Sequence, residues 1–405
     1  MLKPSDKQLE FLSWEMGVFF HFGIRTFYEG HKDWDGKDMP AEGFNPKELN
    51  CEQWVEMAKE GGAKYAILTC KHHDGFANWP SKYSDYSVKN TPWKDRKGDV
   101  VKEFTDACRK YGLKVGLYYS PAQKDFKMSD PKEYDDYFIN QISELLSEYG
   151  VIDYIWFDGC GSVGHEYDKP RIINTIRTLQ PGIKIFSMWD PDVRWVGNEE
   201  GIVPCNTSYV SNQEKISINE KEATVLSEER FMPYECDCKI RRHNWFYSEN
   251  DEKYLRNVDD LVGLYYYSVG RGGNLLLNFA PDRNGLIPEK DCKMFKGMKE
   301  EIDRRFSKDI ESNIENTETG YKVTFPEEVA INHMILEEEL TDGQKIKGFE
   351  LCHTWFHITP SVYSGTYVGH KMIASFPDIY GKEFLLNITD AEDGYELKSI
   401  KFYKV

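Results

Sequence analysis

Over the first three quarters of the chain, apolar residues gather into short continuous runs separated by longer stretches where they recur at helical spacing. The runs lie at 17–23 (Gly-Val-Phe-Phe-His-Phe-Gly), 64–70, 114–120 (Lys-Val-Gly-Leu-Tyr-Tyr-Ser), 154–158 (Tyr-Ile-Trp-Phe-Asp), 183–189 and 274–280. They are too short for helices and rich in β-branched and aromatic residues, so they predict strands. Apolar character at consecutive positions predicts strands buried on both faces, as in a parallel sheet. Between them, residues 50–62 place Trp54, Met57 and Ala58 on one helical face and stop at Gly61-Gly62. Residues 99–111 stop at Gly112, and 131–149 align Ile139, Ile142, Leu145 and Leu146 before Gly150. Residues 170–180, 252–268 and 288–305 predict further helices. Residues 24–49 read as a loop, and the alternation blurs over 190–250, which reads as long loops. Strand–helix alternation of this kind predicts an α/β fold, a (β/α)8-type barrel with room for irregularity.

After Phe306 the texture changes. Residues 310–405 hold no amphipathic helix pattern but alternate polar with apolar positions, as in Tyr321–Phe325 and Tyr395–Tyr403, with Asp342-Gly343 and Asp393-Gly394 as turn signals. The expectation is a catalytic barrel over residues 1–306 and a C-terminal antiparallel β-sandwich over 307–405.

The polar residues that interrupt the apolar runs fall at their C-terminal ends: His21, His72-His73-Asp74, Tyr118-Tyr119-Ser120 and Asp158. In a barrel of parallel strands these ends converge on one mouth, where ligands bind. A carboxylate closing an apolar strand is costly unless it has a partner or a task. Asp158 shares its side of the strand with Trp156 and runs at once into Gly159, so it is the candidate nucleophile of a glycoside hydrolase. Such an enzyme needs a second carboxylate. The blurred region offers Asn198-Glu199-Glu200-Gly201, next to Trp195, and Tyr234-Glu235-Cys236-Asp237. The paired histidines reach one pocket only if their strand ends there, and could bind either a metal or sugar hydroxyls.

Composition narrows the partners. A net charge of −17 disfavours nucleic acid and anionic membranes. An aromatic content of 14 % is high and suits sugar faces as well as cores. No apolar stretch is long enough to span a bilayer. The odd count of 9 cysteines points to free thiols, and the Cys236-x-Cys238 pair lacks the second pair of a zinc site. Met1–Lys7 lacks the apolar segment of a secretory signal, so a cytoplasmic location is the expectation, with secretion open if a signal has been trimmed.

The motifs, in order, resemble the α-L-fucosidases of glycoside hydrolase family 29. The matching pieces include His21-Phe22-Gly23, Phe44-Asn45-Pro46, Lys71-His72-His73-Asp74-Gly75-Phe76, Gly116–Pro121, Trp156-Phe157-Asp158-Gly159, Arg194–Glu199 and Ser268–Asn278. The Gly197-Asn198-Glu199 loop resembles the subfamily that prefers branched α-1,3/1,4-linked fucose. The resemblance implies a retaining exo-α-L-fucosidase with Asp158 as nucleophile, Glu199 as acid/base, and no cofactor or metal. It implies fucose contacts from His21, Trp34, His72, His73, Tyr118 or Tyr119, and Trp156, with Glu235 as second choice for the acid. The partner it implies is a fucosylated oligosaccharide or glycoconjugate. The chain departs from the family at Asp33-Trp34, where Glu-Trp is frequent, and at Ala122-Gln123, where Trp-Asp is frequent. Two rival readings remain: a barrel that binds fucosylated glycans without turnover, and a metal-dependent hydrolase built on His21, His72 and His73.

Overall fold

The computed structural model describes residues 2–32, 34–124, 130–218 and 224–405. Helix α1 (Asp6–Trp14) precedes strand β1 (Met16–Phe20). The alternation then runs α2 (Cys51–Glu60), β2 (Tyr65–Lys71), α3 (Val100–Tyr111), β3 (Lys114–Tyr119), α4 (Pro131–Glu148), β4 (Tyr154–Phe157), α5 (Lys169–Leu179) and β5 (Lys184–Phe186). The first strand and every helix in this stretch after α1 were legible in the pattern. Asn50, Asp99, Asp130 and Asp168 cap helices α2 to α5 by accepting from first-turn amides.

The region from 190 onward departs from the expected loops. It contains β6 (Arg194–Trp195), a hairpin of β7 (Val210–Glu214) and β8 (Thr224–Phe231), and β9 (Tyr234–Lys239). The fifth strand is shorter than expected because Ser187 and Trp189 take positive φ values of 67° and 70°, which ends the extended backbone. The expected helix over 252–268 is two pieces, a 3-10 turn at Glu249–Tyr254 and α6 (Val258–Tyr267). Asn257 separates them, its side chain accepting from the Asp260 amide as a new N-cap. Strand β10 (Asn274–Phe279) and helix α7 (Glu289–Phe306) complete the unit.

Eight strands form one parallel sheet in the order β5-β4-β3-β2-β1-β10-β9-β6. Its edges meet at a single parallel bridge, Phe186 to Val193, so the sheet is a nearly closed barrel. No helix stands between β5 and β6, and the hairpin replaces the helix after β6. Side chains on alternate positions fill the lumen, among them Phe19, Ile67, Tyr118, Trp156, Phe186 and Leu276. Helix α1 closes the N-terminal end of the lumen: Phe11 and Trp14 pack on Tyr65 and Tyr154 with ring centroids 5.3–6.4 Å apart.

The C-terminal unit is antiparallel: β11 (Asn313–Thr317), β12 (Gly320–Glu338), β13 (Ile346–His353), β14 (Ser361–Gly365), β15 (Met372–Ala391) and β16 (Leu397–Tyr403). Strands β12 and β15 pair along most of their length, with register shifts between Thr324 and Val329. The first half of β12 carries β11 and the second half carries β16. Phe325 of the first half packs on Phe402 of β16 at 5.6 Å, so the two halves face each other across a core as a sandwich.

Candidate active site

The barrel mouth is built where the strands stop. In β2 a register shift between Thr69 and Lys71 reverses the pleat. Lys71 therefore turns outward, where its ammonium lies 4.2 Å from the Tyr119 ring and donates to Gln123 Oε1 at 2.8 Å. The strand ends there, which frees both His72 and His73 to reach the mouth. In β3 the simple period of two decides between the tyrosines. Tyr118 points into the lumen, whereas Tyr119 points outward, donating to Gln141 Oε1 at 2.7 Å against Phe138. The expectation that Tyr119 touches substrate is thus not matched by its placement.

His21, Trp34, His72, His73, Tyr118, Trp156, Asp158 and Glu199 all line one cavity of about 300 Å³. Asp158 lies beyond the last residue of β4. Its Oδ2 accepts from the Tyr118 hydroxyl at 2.8 Å and faces His73 Nε2 at 3.3 Å, and its Oδ1 accepts from the Cys160 amide at 2.9 Å. Burial pushes the Asp158 carboxyl up, but the His73 imidazole, the Cys160 amide and the Tyr118 hydroxyl outweigh it and hold the group below its ordinary value. His73 is fixed from behind by Ser120, 2.5 Å from Nδ1, and its ring stacks on the Trp34 indole at 5.2 Å.

His21 Nδ1 lies 2.7 Å from Asn278 Oδ1, while the Asn278 amide donates to the Trp245 carbonyl at 2.8 Å. That oxygen can only accept, so Nδ1 carries the proton and Nε2 is left as an acceptor. Burial lowers His21 to about 3, and burial likewise depresses His72 well below its ordinary value, so both rings are neutral near neutral pH. His72 lies parallel to the Tyr118 ring at 5.5 Å. A neutral imidazole donates with one nitrogen and accepts with the other, as paired sugar hydroxyls require.

Glu199 stands at the rim, its Oε2 3.3 Å from Lys239 Nζ and 3.3 Å from the Trp245 indole nitrogen. Its neighbour Glu200 is exposed and its backbone bridges to Cys238. Glu235 lies deeper than expected. Fully buried below the cavity, it accepts from the Tyr65 hydroxyl, from Trp156 Nε1 at 2.8 Å and from the Tyr154 hydroxyl at 3.3 Å. Burial raises it to about 7 despite these donors. Being first of the inward residues of β9, it sits one layer below the mouth and is not a cavity wall.

Asp237, two residues further along β9, does line the cavity. It accepts from Trp195 Nε1 at 2.7 Å, and burial together with the nearby Glu199 raises it to about 8. Trp245 and Lys239 also belong to the site and were not singled out from the sequence. The signal that was present is the alternation Glu235, Asp237, Lys239 between the outward Cys236 and Cys238. It marks a barrel strand with a charged lumen face. The β7–β8 hairpin reaches across the mouth: the Gly159 amide donates to the Ile216 carbonyl at 3.1 Å, and Ile216, Ser217 and Ile218 close one side of the cavity. A second hollow of about 500 Å³ shares Trp34 and His73 with the first and continues outward past Arg25, Asp35, Gln123 and Lys124. Asp33 lies outside the described residues.

His72, His73 and Asp158 bring one potential metal-ligand atom each within 4.8 Å of one another. This trio shares His72 and His73 with the expected His21, His72 and His73 set and has Asp158 in place of His21. Within it His73 is engaged with Ser120 and Asp158 with Tyr118.

A nearly closed parallel barrel with buried carboxylates, neutral imidazoles and indoles at its C-terminal mouth defines a glycoside hydrolase of the (β/α)8 class. The α-L-fucosidase family model matches residues 4–301. The chain is 33 % identical to α-L-fucosidase 1 of Arabidopsis thaliana over 96 % of its own length and 84 % of that protein. Among solved structures, a glycoside hydrolase 29 family member from an unknown rumen bacterium superposes with a TM-score of 0.91 at 31 % identity, over 99 % of this chain and 77 % of that one. SpGH29 superposes with a TM-score of 0.92 at 27 % identity, over 100 % and 98 % of the two chains. The chain belongs to the α-L-fucosidase family, glycoside hydrolase family 29.

Proposed function

We propose that this fucosidase works by double displacement, with Asp158 as nucleophile and Glu199 as acid/base, on terminal α-1,3/1,4-linked L-fucose of neutral glycans. The observation that carries the reading is the state of Asp158: a carboxylate in a small cavity lined by imidazole, indole and phenol rings, kept ionised by His73, the Cys160 amide and Tyr118. Asp158 attacks the anomeric carbon, its C–O bond forming as the glycosidic bond breaks. Glu199 protonates the departing oxygen, then takes a proton from water as that water displaces Asp158 and releases fucose with retained configuration. His21 and His72 read the sugar hydroxyls as neutral rings, Trp34 and Trp156 offer apolar faces, and the second hollow receives the rest of the glycan.

Replacing Asp158 by Ala is expected to cut fucose release by at least about a thousandfold. Azide then restores turnover and leaves a fucosyl azide. Near wild-type turnover of Asp158→Ala would overturn the assignment.

A second reading of the acid has one observation in its favour: Asp237 lines the same cavity and is pushed up to about 8, a value at which it carries a proton. Glu199→Gln is expected to abolish hydrolysis of an oligosaccharide while sparing the first step on an aryl fucoside whose leaving group needs no proton. Should Asp237→Asn show that split and Glu199→Gln not, the acid is Asp237.

A further inference from the structure

A groove of about 830 Å³, larger than the active-site cavity, runs between the barrel and the sandwich. It lies at the opposite end of β10 from the catalytic mouth. Asn278, near the C-terminal end of that strand, holds His21, whereas Arg271, three residues before its start, lines the groove, so the two sites are about 20 Å apart. Its walls come from α6 and the end of α7 on one side and from β14 and the start of β15 on the other.

Four tyrosines, Tyr266, Tyr267, Tyr363 and Tyr367, line it, and Tyr267 is 46 % exposed at the end of its helix. The Arg271 guanidinium lies 4.6 Å from the centre of the Tyr267 ring while its Nη1 donates to the Val203 carbonyl at 2.7 Å, which holds the pair in place. Tyr363 is backed by Phe349, nearly parallel at 6.1 Å. The rim adds hydroxyl and amide groups, with Thr366 donating to Asn206 Oδ1 at 2.6 Å.

Of the ionisable groups that line the groove, Asp259 is exposed to solvent, Arg271 and Arg305 are held by protein partners, and His333 is neutral. Arg305 donates to Glu301 Oε1 at 2.8 Å, and burial lowers His333 to about 4, which leaves that ring neutral. Ordered tyrosine faces, small polar side chains and little free charge, in a concave junction between two domains, suit an uncharged polyhydroxylated ligand better than an anion or an apolar one.

We infer that the barrel–sandwich groove is a second binding site, for a neutral oligosaccharide, separate from the catalytic cavity. The choice of ligand class rests on the fucosidase reading. The test does not, because its probes carry no fucose: an N-acetyllactosamine hexasaccharide and a xyloglucan heptasaccharide, each titrated at millimolar concentration against the whole protein by saturation-transfer NMR.

At least one probe is expected to bind saturably and to stay bound when excess L-fucose is added. Tyr267→Ala removes an exposed ring and should weaken that binding about tenfold. Ser364→Arg fills the groove from an exposed position and should abolish it. Neither variant should change kcat/KM on an aryl fucoside, since neither residue approaches the mouth. Binding of neither probe, displacement by fucose, or affinity unchanged in both variants would overturn the inference. Failure of the wild-type protein to cleave the aryl fucoside would instead strike the catalytic reading and leave the groove result legible.

Discussion

Asp158 is half-buried yet ionised because three groups converge on it, the His73 ring, the Cys160 amide and the Tyr118 hydroxyl, and the two side chains can each be removed singly. Tyr118 is the most informative, since its hydroxyl donates to the Oδ2 that His73 also faces. Tyr118→Phe deletes that donor while keeping the ring that packs on Trp156 and His72. The carboxyl value then rises, and because attack needs the ionised form, the acidic limb of the kcat/KM profile should move to higher pH by about one unit. A limb that stays in place would mean that Asp158 is not the group titrating there. Glu235 is the counterexample. It too accepts three hydrogen bonds, but all come from neutral hydroxyl and indole groups, and with no cation beside it burial wins. Two carboxylates within the same barrel thus end on opposite sides of their ordinary values for a reason visible in their partners.

At the scale of elements, the site depends on two irregular pieces: the loop carrying Trp34 and the β7–β8 hairpin. Both rest against the glycine-rich turn after β4. A Cβ on Gly159 would stand 2.5 Å from the Ile216 carbonyl oxygen, closer than side-chain carbons approach oxygen, so the hairpin must shift to admit it. Gly159→Ala is therefore expected to raise KM on fucosides about tenfold with a smaller effect on kcat, because the displaced wall binds sugar without touching the reacting bond. Equal losses in both constants would place the hairpin closer to the chemistry than its geometry does. Strand β9 carries the other lesson. Its lumen face is Glu235, Asp237 and Lys239, so its apolar residues are the outward cysteines, and a search for apolar runs passes over it.

The two domains are joined by more than the groove. Glu15, which follows α1 at the closed end of the barrel, holds Lys371 at 2.5 Å and His370 at 3.2 Å, both in the turn that leads into β15. Partial burial pushes this carboxyl up, but His370 and Lys371 prevail and bring it down to about 2 from 4.5. A depressed carboxyl contributes stability that is complete above its unfolded value and disappears as pH falls through its folded one. With its side chain 24 % exposed, the contribution at neutral pH is about 2 kcal/mol. Glu15→Ala should lower stability to urea by that amount near pH 7, and the gap from wild type should close as pH drops from about 4.5 toward 2. A gap that persists at the acid end would assign the loss to packing instead.

Local chemistry was enough to mark the alternating core of this protein. Apolar runs bounded by glycine and proline identify β1 to β5 and β10, helical spacing with glycine stops identifies helices between them, and the position of Asp158 at a strand end identifies the mouth. These features are short-range: each follows from period, propensity and stop signals within a few residues. What only the tertiary structure decided is which polar groups share a space. Tyr118 and Tyr119 differ by one pleat, His72 reaches the mouth because a bulge reverses β2, and Glu235 and Asp237 differ by one layer of the same strand. Trp245 and the hairpin arrive from far along the chain. Their meeting is set by barrel closure and by the electrostatics of burial, which act through space between residues that nothing in the linear order brings together.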